Sequence, residues 1–291
     1  MRIPCHGNAT AWEIAKRSVM NYLRHDMMTY ASSLSYTILF ALFPFMIFLV
    51  ALVSFLQVPD FFDWLLEQAA RALPDVTYEW FASIIEQIRE PQGGLLSVGA
   101  AIAIWTASSG FRAIMKALNA AYEVQETRPA WATFPLSIIY TIGLGMLLAL
   151  GGALALLNPN RFEWLAEHAS LSDAVVTVWG WLRFPILIIV LTLAAAIIYH
   201  VTPNVKQPFK LLSPGAVFTV VIWVVGSQGF SIYIENFGDY NAYGSLAGAI
   251  IFMTFVFLSC SVLLLGGEIN AELFRKGRAD GHAATDSNSH P

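Results

Sequence analysis

Six long stretches of this chain carry almost no charge, and that feature limits the fold more than any other. They are 35–57 ("SYTILFALFPFMIFLVALVSFLQ"), 95–115 ("LLSVGAAIAIWTASSGFRAIM"), 135–157, 181–201, 213–232 and 246–267. Each has the roughly 20 apolar residues that cross a hydrocarbon core of about 30 Å. Lipid offers the backbone no hydrogen bonds, so a spanning segment is either a helix or part of a closed barrel. The runs are continuous and do not alternate apolar with polar, which selects helices. The expected fold is all-α, a polytopic membrane bundle of six transmembrane helices. Composition agrees. Only 12% of the 291 residues are charged and 57% are hydrophobic, against about a quarter charged in soluble domains.

The direction of the spans follows from Lys and Arg. Arg2, Lys16, Arg17 and Arg24 precede the first span. Arg112, Lys116 and Arg128 lie around the loop after the second, Lys206 and Lys210 after the fourth, and Arg275, Lys276 and Arg278 in the tail. Those twelve fall on one side, against Arg71, Arg89, Arg161 and Arg183 on the other. Positive charge marks the cytoplasmic side, so both termini are expected there. Residues 1–30 hold no secretory signal and read as a cytoplasmic segment. Within it, 10–24 ("TAWEIAKRSVMNYLR") is amphipathic and is expected to lie along the headgroups. The membrane domain runs over 31–275, and 276–291 is polar and expected to be disordered. Cys5 and Cys260 are too far apart in sequence to suggest a disulfide framework or a metal site.

Between the first two spans, 58–94 is long and acidic. Phe62, Leu65, Leu66, Ala69 and Leu73 share one helical face, and Trp80, Phe81, Ile84, Ile85 and Ile88 share another, with Pro74 between them. This predicts an external helical hairpin. A shorter helix is expected within 161–175. Ser213 and Pro214 read as an N-cap followed by a first-turn proline. Pro44 and Pro185 lie inside spans and are candidate kinks. They open the two three-span halves, which is compatible with an inverted repeat. Glycines in "GLGMLLALGGALA" and the pair Gly244 and Gly248 have the small-residue spacing that lets helices approach.

Polar groups inside spans are costly and tend to face the bundle interior. The candidates are Ser108, Ser109 and Arg112 in the second span, Gln228 in the fifth, and Glu268 and Asn270 at the end of the sixth. On the external side are Glu235, Asp239 and Tyr243. The plainer readings are helix packing for the serines and an aromatic belt for the tyrosine. Arg112 and Glu268 fall at similar depth and could pair, or each could snorkel to water independently. A carboxylate near a helix C-terminus is mildly unfavourable, so Glu268 needs a partner on this side, from Arg112 or another donor, unless the helix runs on past Glu272.

Four segments carry a resemblance: "ASSLSYTILFALFPF" (31–45), "YHVTPNVKQPFKLLSPGA" (199–216), "YNAYGSLAGAI" (240–250) and "LLLGGEINAEL" (263–273). In order and spacing they resemble the signature segments of the YihY/BrkB family of bacterial inner-membrane proteins, over roughly residues 20–275. The resemblance implies six spans and an inner-membrane location. It also brings two functional labels, a serum-resistance or virulence factor and ribonuclease BN, while transport of a lipid or other envelope component is suggested for some members.

Metal-dependent RNA cleavage needs clustered His and Asp ligands. Here His6, His25, His168, His200, His282 and His290 are dispersed along the chain. No GxSxG, HExxH or nucleotide-binding P-loop occurs. The chain is therefore expected to be no enzyme, to use no cofactor or metal, and to bind no nucleic acid. The leading expectation is a transporter-like protein handling a lipid or another envelope solute, with membrane lipids as partners and envelope proteins or a second copy as further ones. The alternative is a non-transporting scaffold or envelope-integrity factor.

Overall fold

The computed structural model describes residues 11–56, 66–67, 82, 93–156, 173–237 and 245–287. Seven helices are described: α1 (Ala11–Arg24), α2 (Met27–Leu56), α3 (Gly93–Ala121), α4 (Ala130–Leu156), α5 (Asp173–Val201), α6 (Pro214–Phe237) and α7 (Ser245–Ser287). No strand occurs among the described residues. Five stretches are long and apolar enough to cross a membrane: Ser97–Ala121, Ala130–Gly152, Val178–Val201, Pro214–Ile234 and Ile250–Arg278. The first expected span falls in α2 as far as Leu56, and the side chains of much of that stretch are outside the described residues. The expected external hairpin is also outside them apart from 66–67 and 82, and so is 161–172.

The chain forms two compact units, Tyr36–Gly110 and Met1–Ser35 with Phe111–Pro291. In the second, α7 packs on α6 and α1, and α5 packs on α4 and α6. Its core uses small residues, Ala196, Ala216 and Ala271, around the buried Tyr199, Leu118 and Leu264. Large apolar side chains such as Met146, Trp181 and Val225 are exposed instead, as suits helices whose outer solvent is hydrocarbon.

Close helix contact falls mostly at glycines other than those singled out by spacing, of which Gly244 lies outside the described residues. A Cβ at Gly266 would overlap the Thr219 and Tyr199 hydroxyls, and one at Gly215 would strike the Gly266 carbonyl and Asn270. In contrast, Gly143, Gly145, Gly152 and Gly248 face open space, and Gly151 alone of the α4 glycines is tight, against Val190. Pro44, Pro135 and Pro185 lie inside helices that run on past them.

Two expectations for the ends change. Helix α1 does not simply rest on a headgroup layer. Its Ile14, Ser18 and Asn21 face packs on α7, while Trp12, Val19, Met20 and Leu23 on the opposite face are exposed. At the other end, α7 stays helical to Ser287, through most of the segment expected to be disordered. Glu268 therefore sits well inside a helix, and the dipole objection to its charge disappears.

Candidate functional site

Glu268 is fully buried. Such a carboxylate is costly unless paired, and its first partner is His25. The His25 Nδ1 lies 2.7 Å from Glu268 Oε1, the length of a charge-assisted hydrogen bond. The other ring nitrogen, Nε2, is 3.3 Å from Glu123 Oε1. The imidazole thus bridges two carboxyl groups, one at each ring nitrogen.

Two local turns place these groups. Asp26, at φ 54°, breaks the chain between α1 and α2 and fixes His25 there. Glu123, also at φ 54°, ends α3: the Val124 amide donates to the Asn119 carbonyl at 2.9 Å and the Glu123 amide to Ala120 at 3.1 Å. This is the Schellman pattern, in which glycine usually holds the left-handed position. A glutamate there puts its carboxylate beside His25 and within 3.7 Å of Arg275.

Arg275 ties the cluster to α3. Its Nη1 donates to the Ala121 carbonyl at 2.7 Å, and its Nη2 is 3.0 Å from Glu272 Oε2. Nη2 also lies 3.9 Å from Glu268 Oε2, an ion-pair distance too long for a hydrogen bond. That oxygen has no hydrogen-bond partner. Arg17 and Asn21 of α1 reach Glu272 at 3.6 and 3.3 Å. Three carboxylates thus share one imidazole and two guanidinium groups.

Arg112 is elsewhere. Its Nη1 donates to Ser137 Oγ at 3.0 Å, and its guanidinium lies 5.0 Å from the Phe134 ring centroid. The donors that meet Glu268 are His25 and Arg275, both outside the six expected spans. Their signal in the sequence was position: each sits at the edge of an apolar run on the basic side. Ser108 and Ser109 donate to the Trp105 and Thr106 carbonyls within their own helix. Gln228 is exposed on α6. Glu235 falls in the last turns of α6, its side chain outside the described residues, as are Asp239 and Tyr243 entirely.

Asn270 has a defined task. Its Oδ1 accepts from the Gly215 amide at 2.9 Å, and its Nδ2 donates to Ser213 Oγ at 3.1 Å. Ser213 Oγ in turn accepts from the Ala216 amide at 3.3 Å, the expected N-cap. A neighbouring helix thereby satisfies the first amides of α6. One turn away, the Tyr199 hydroxyl donates to the Leu263 carbonyl at 2.6 Å and meets Thr219 Oγ1 at 2.6 Å.

Beside these contacts is a recess of about 370 Å³ whose lining includes Tyr122, Tyr199, His200, Lys210, Asn270 and Phe274. It shares His200, Gln207 and Pro208 with a more open hollow toward Arg128 and Lys206. The rim is stitched by Asn204, whose amide donates to Asn119 Oδ1 at 2.7 Å, and by Arg128, which donates to the Thr202 carbonyl at 2.9 Å. The Glu126 carboxyl is held below the usual carboxylate range, first by hydrogen bonds from the Arg128 side chain. Among the described residues no three His, Cys, Asp or Glu side chains gather as a metal site.

Comparison with known families decides the kinship: the model for "Virulence factor BrkB" matches residues 18–290. The chain belongs to the BrkB family. It is 33% identical over 263 residues to a Bacillus subtilis protein named as ribonuclease-like, YfkH, covering 90% of this chain and 95% of that relative. It is 27% identical to a UPF0761 membrane protein of Chromohalobacter salexigens, covering 90% of this chain and 63% of the relative. A UPF0761 membrane protein of Citrobacter koseri is 30% identical over 65% of this chain and 63% of its own length. The chain thus spans nearly all of the first and under two thirds of the others. No solved structure matches it. Within this BrkB protein, "YHVTPNVKQPFKLLSPGA" supplies the recess wall and "LLLGGEINAEL" supplies the tight glycines, Glu268 and Asn270.

Proposed function

We propose that this BrkB protein is a six-span protein of a bacterial inner membrane, with both termini in the cytoplasm, that moves a lipid or another amphipathic envelope solute. The observation that carries the reading is Glu268. A fully buried carboxylate inside α7, just past its most apolar stretch, with one oxygen on His25 and the other without a hydrogen bond, is an expensive arrangement. Ionisable groups at such depth mark solute or proton paths more often than packing. Sidedness is supported by the meeting of α1, the α3–α4 loop, the α5–α6 loop and α7, which carry the basic residues, through the contacts of Arg17, Arg128 and Arg275. α2 supplies the sixth span. The site has no catalytic role in this reading, and the ribonuclease-like name of the Bacillus relative does not extend to this chain.

The test is reconstitution into liposomes with lipid-scrambling and ion-flux readouts. Wild-type protein accelerates one of them, and Glu268→Gln, if it still folds, slows it at least about tenfold, the loss equivalent to one charge-assisted hydrogen bond. A folded wild-type protein that moves neither lipid nor ions sinks the transport reading for those substrates and leaves a scaffold. RNA incubated with the purified protein and divalent metal remains uncut.

A further inference from the structure

The recess between α5, α6 and α7 is built for more than packing. Its lining holds no Asp or Glu, and neither does that of the hollow it opens into. Two cations, Lys210 in the recess and Lys206 in the hollow, have no ion pair among the described residues. Arg128 is different, because Glu126 offsets its charge at 2.7 Å. The N-terminus of α6 opens onto the same space through Ser213 and Pro214. Its first amides are taken by Asn270 and Ser213, so it contributes positive potential there without free donors.

Two buried polar atoms in the lining are unsatisfied. Tyr122 is 4% exposed, and its hydroxyl, beside the Gln207 side chain, makes no hydrogen bond of good geometry; His200 Nδ1 has no partner either. Native proteins rarely leave such groups unmet unless water or a ligand completes them. The rest of the wall sets the apolar and aromatic Leu273, Phe274 and Tyr199 beside the polar Gln207, Ser213 and Asn270. A volume of about 370 Å³ lies in the range of small-ligand pockets.

We propose that this recess binds a phosphate ester, with Lys210 and Lys206 neutralising the anion, the Tyr122 hydroxyl donating to a phosphate oxygen, and Phe274 and Leu273 receiving the apolar portion. The chemistry fits the headgroup of an anionic phospholipid and equally a soluble phosphate compound. This goes beyond transport: a protein that binds such a ligand without moving it satisfies the inference, so the two can fail separately.

The experiment measures ligand-induced thermal stabilisation of the full chain in neutral detergent at constant ionic strength. Three probes are compared: inorganic phosphate, a short-chain phosphatidylglycerol and a neutral short-chain diacylglycerol. Tyr122→Phe removes only the hydroxyl and its contact with the Gln207 side chain, so each variant's response is read against its own unliganded Tm. The affinity of Tyr122→Phe for the phosphate probe falls about tenfold, as for one hydrogen bond to a charged group. Lys210→Gln weakens the same probe, and the diacylglycerol has no effect on any variant. Response to phosphatidylglycerol alone assigns the site to lipid, and equal response to inorganic phosphate assigns it to a soluble ester. The proposal is overturned if neither phosphate probe stabilises wild type, or if Tyr122→Phe and Lys210→Gln respond as wild type does.

Discussion

The pairing of Glu268 with His25 makes a quantitative prediction. His25→Ala leaves a carboxylate that is fully buried, with only Arg275 at 3.9 Å to answer it. Breaking a buried pair by removing one partner costs about 3–5 kcal/mol. Arg275 retains part of the compensation, so about 3 kcal/mol is expected. Glu268→Gln keeps the shape and replaces a charge with a neutral amide, which costs less to bury, so about 1 kcal/mol is expected. In the Gln background His25→Ala no longer strands a charge, and its cost falls to about 1 kcal/mol. The coupling is then about 2 kcal/mol, inside the range for a hydrogen bond to a charged group. The assay is reversible unfolding in mixed micelles of neutral detergent and SDS near neutral pH. A parallel cycle of Arg112→Ala with Glu268→Gln is the control. Arg112 bonds to Ser137 and not to Glu268, so its coupling stays within about 0.5 kcal/mol. A His25–Glu268 coupling below about 0.5 kcal/mol, or an Arg112–Glu268 coupling above about 1 kcal/mol, refutes the reasoning.

Two further predictions rest on other parts of the molecule. Gly266→Ala forces a methyl group into the Thr219 and Tyr199 hydroxyls; overpacking and the loss of one hydrogen bond together cost about 2–4 kcal/mol in the same unfolding assay, whereas Gly145→Ala, facing open space, costs nothing measurable. Because Arg128 depresses the Glu126 carboxyl, the stability this gives the rim is complete above the ordinary carboxylate pKa and is lost as pH falls through the lower folded value. Hydrogen-exchange protection of the Asn204 amide, corrected for the intrinsic rate, therefore holds from neutral pH down to about 5 and drops only below the carboxylate range near 4.

The apolar runs made the helices legible because lipid removes every other way of satisfying a backbone. The start of α6 was readable for a local reason, since Ser213 and Pro214 need nothing from the rest of the chain to act as a cap. Close packing was not readable from spacing. Glycines recur often in α4 by composition, and most face open space; Gly215, Gly266 and Gly267 matter because of what stands opposite them, a carbonyl, two hydroxyls and Leu118. The docking of α1 was hidden for a related reason. An amphipathic pattern identifies two faces without saying whether lipid or another helix takes each, and here Ser18 and Asn21 mark the protein face while Trp12, 76% exposed, marks the other.

The partner of Glu268 was the hardest part to see. Reasoning from depth compares residues on spans and so reaches Arg112, but Gly267, beside Glu268, packs against Leu118 further along α3, and Arg112 turns toward Ser137 of α4. His25 belongs to a turn between two helices, where a left-handed Asp26 separates α1 from α2. Arg275 belongs to a stretch of α7 that continues as helix beyond the expected end of the span. Neither placement follows from hydropathy, because both depend on local backbone geometry at the edge of the apolar zone. The glutamate at 123 has the same origin: a residue in a conformation that glycine takes more readily, kept where its carboxylate reaches His25 and Arg275. The strain at Glu123 and the burial at Glu268 are two costs borne at one imidazole. An arrangement serving stability alone could replace the buried pair with apolar side chains at little loss, so the joint cost argues that His25 and its two carboxylates are kept for what they do.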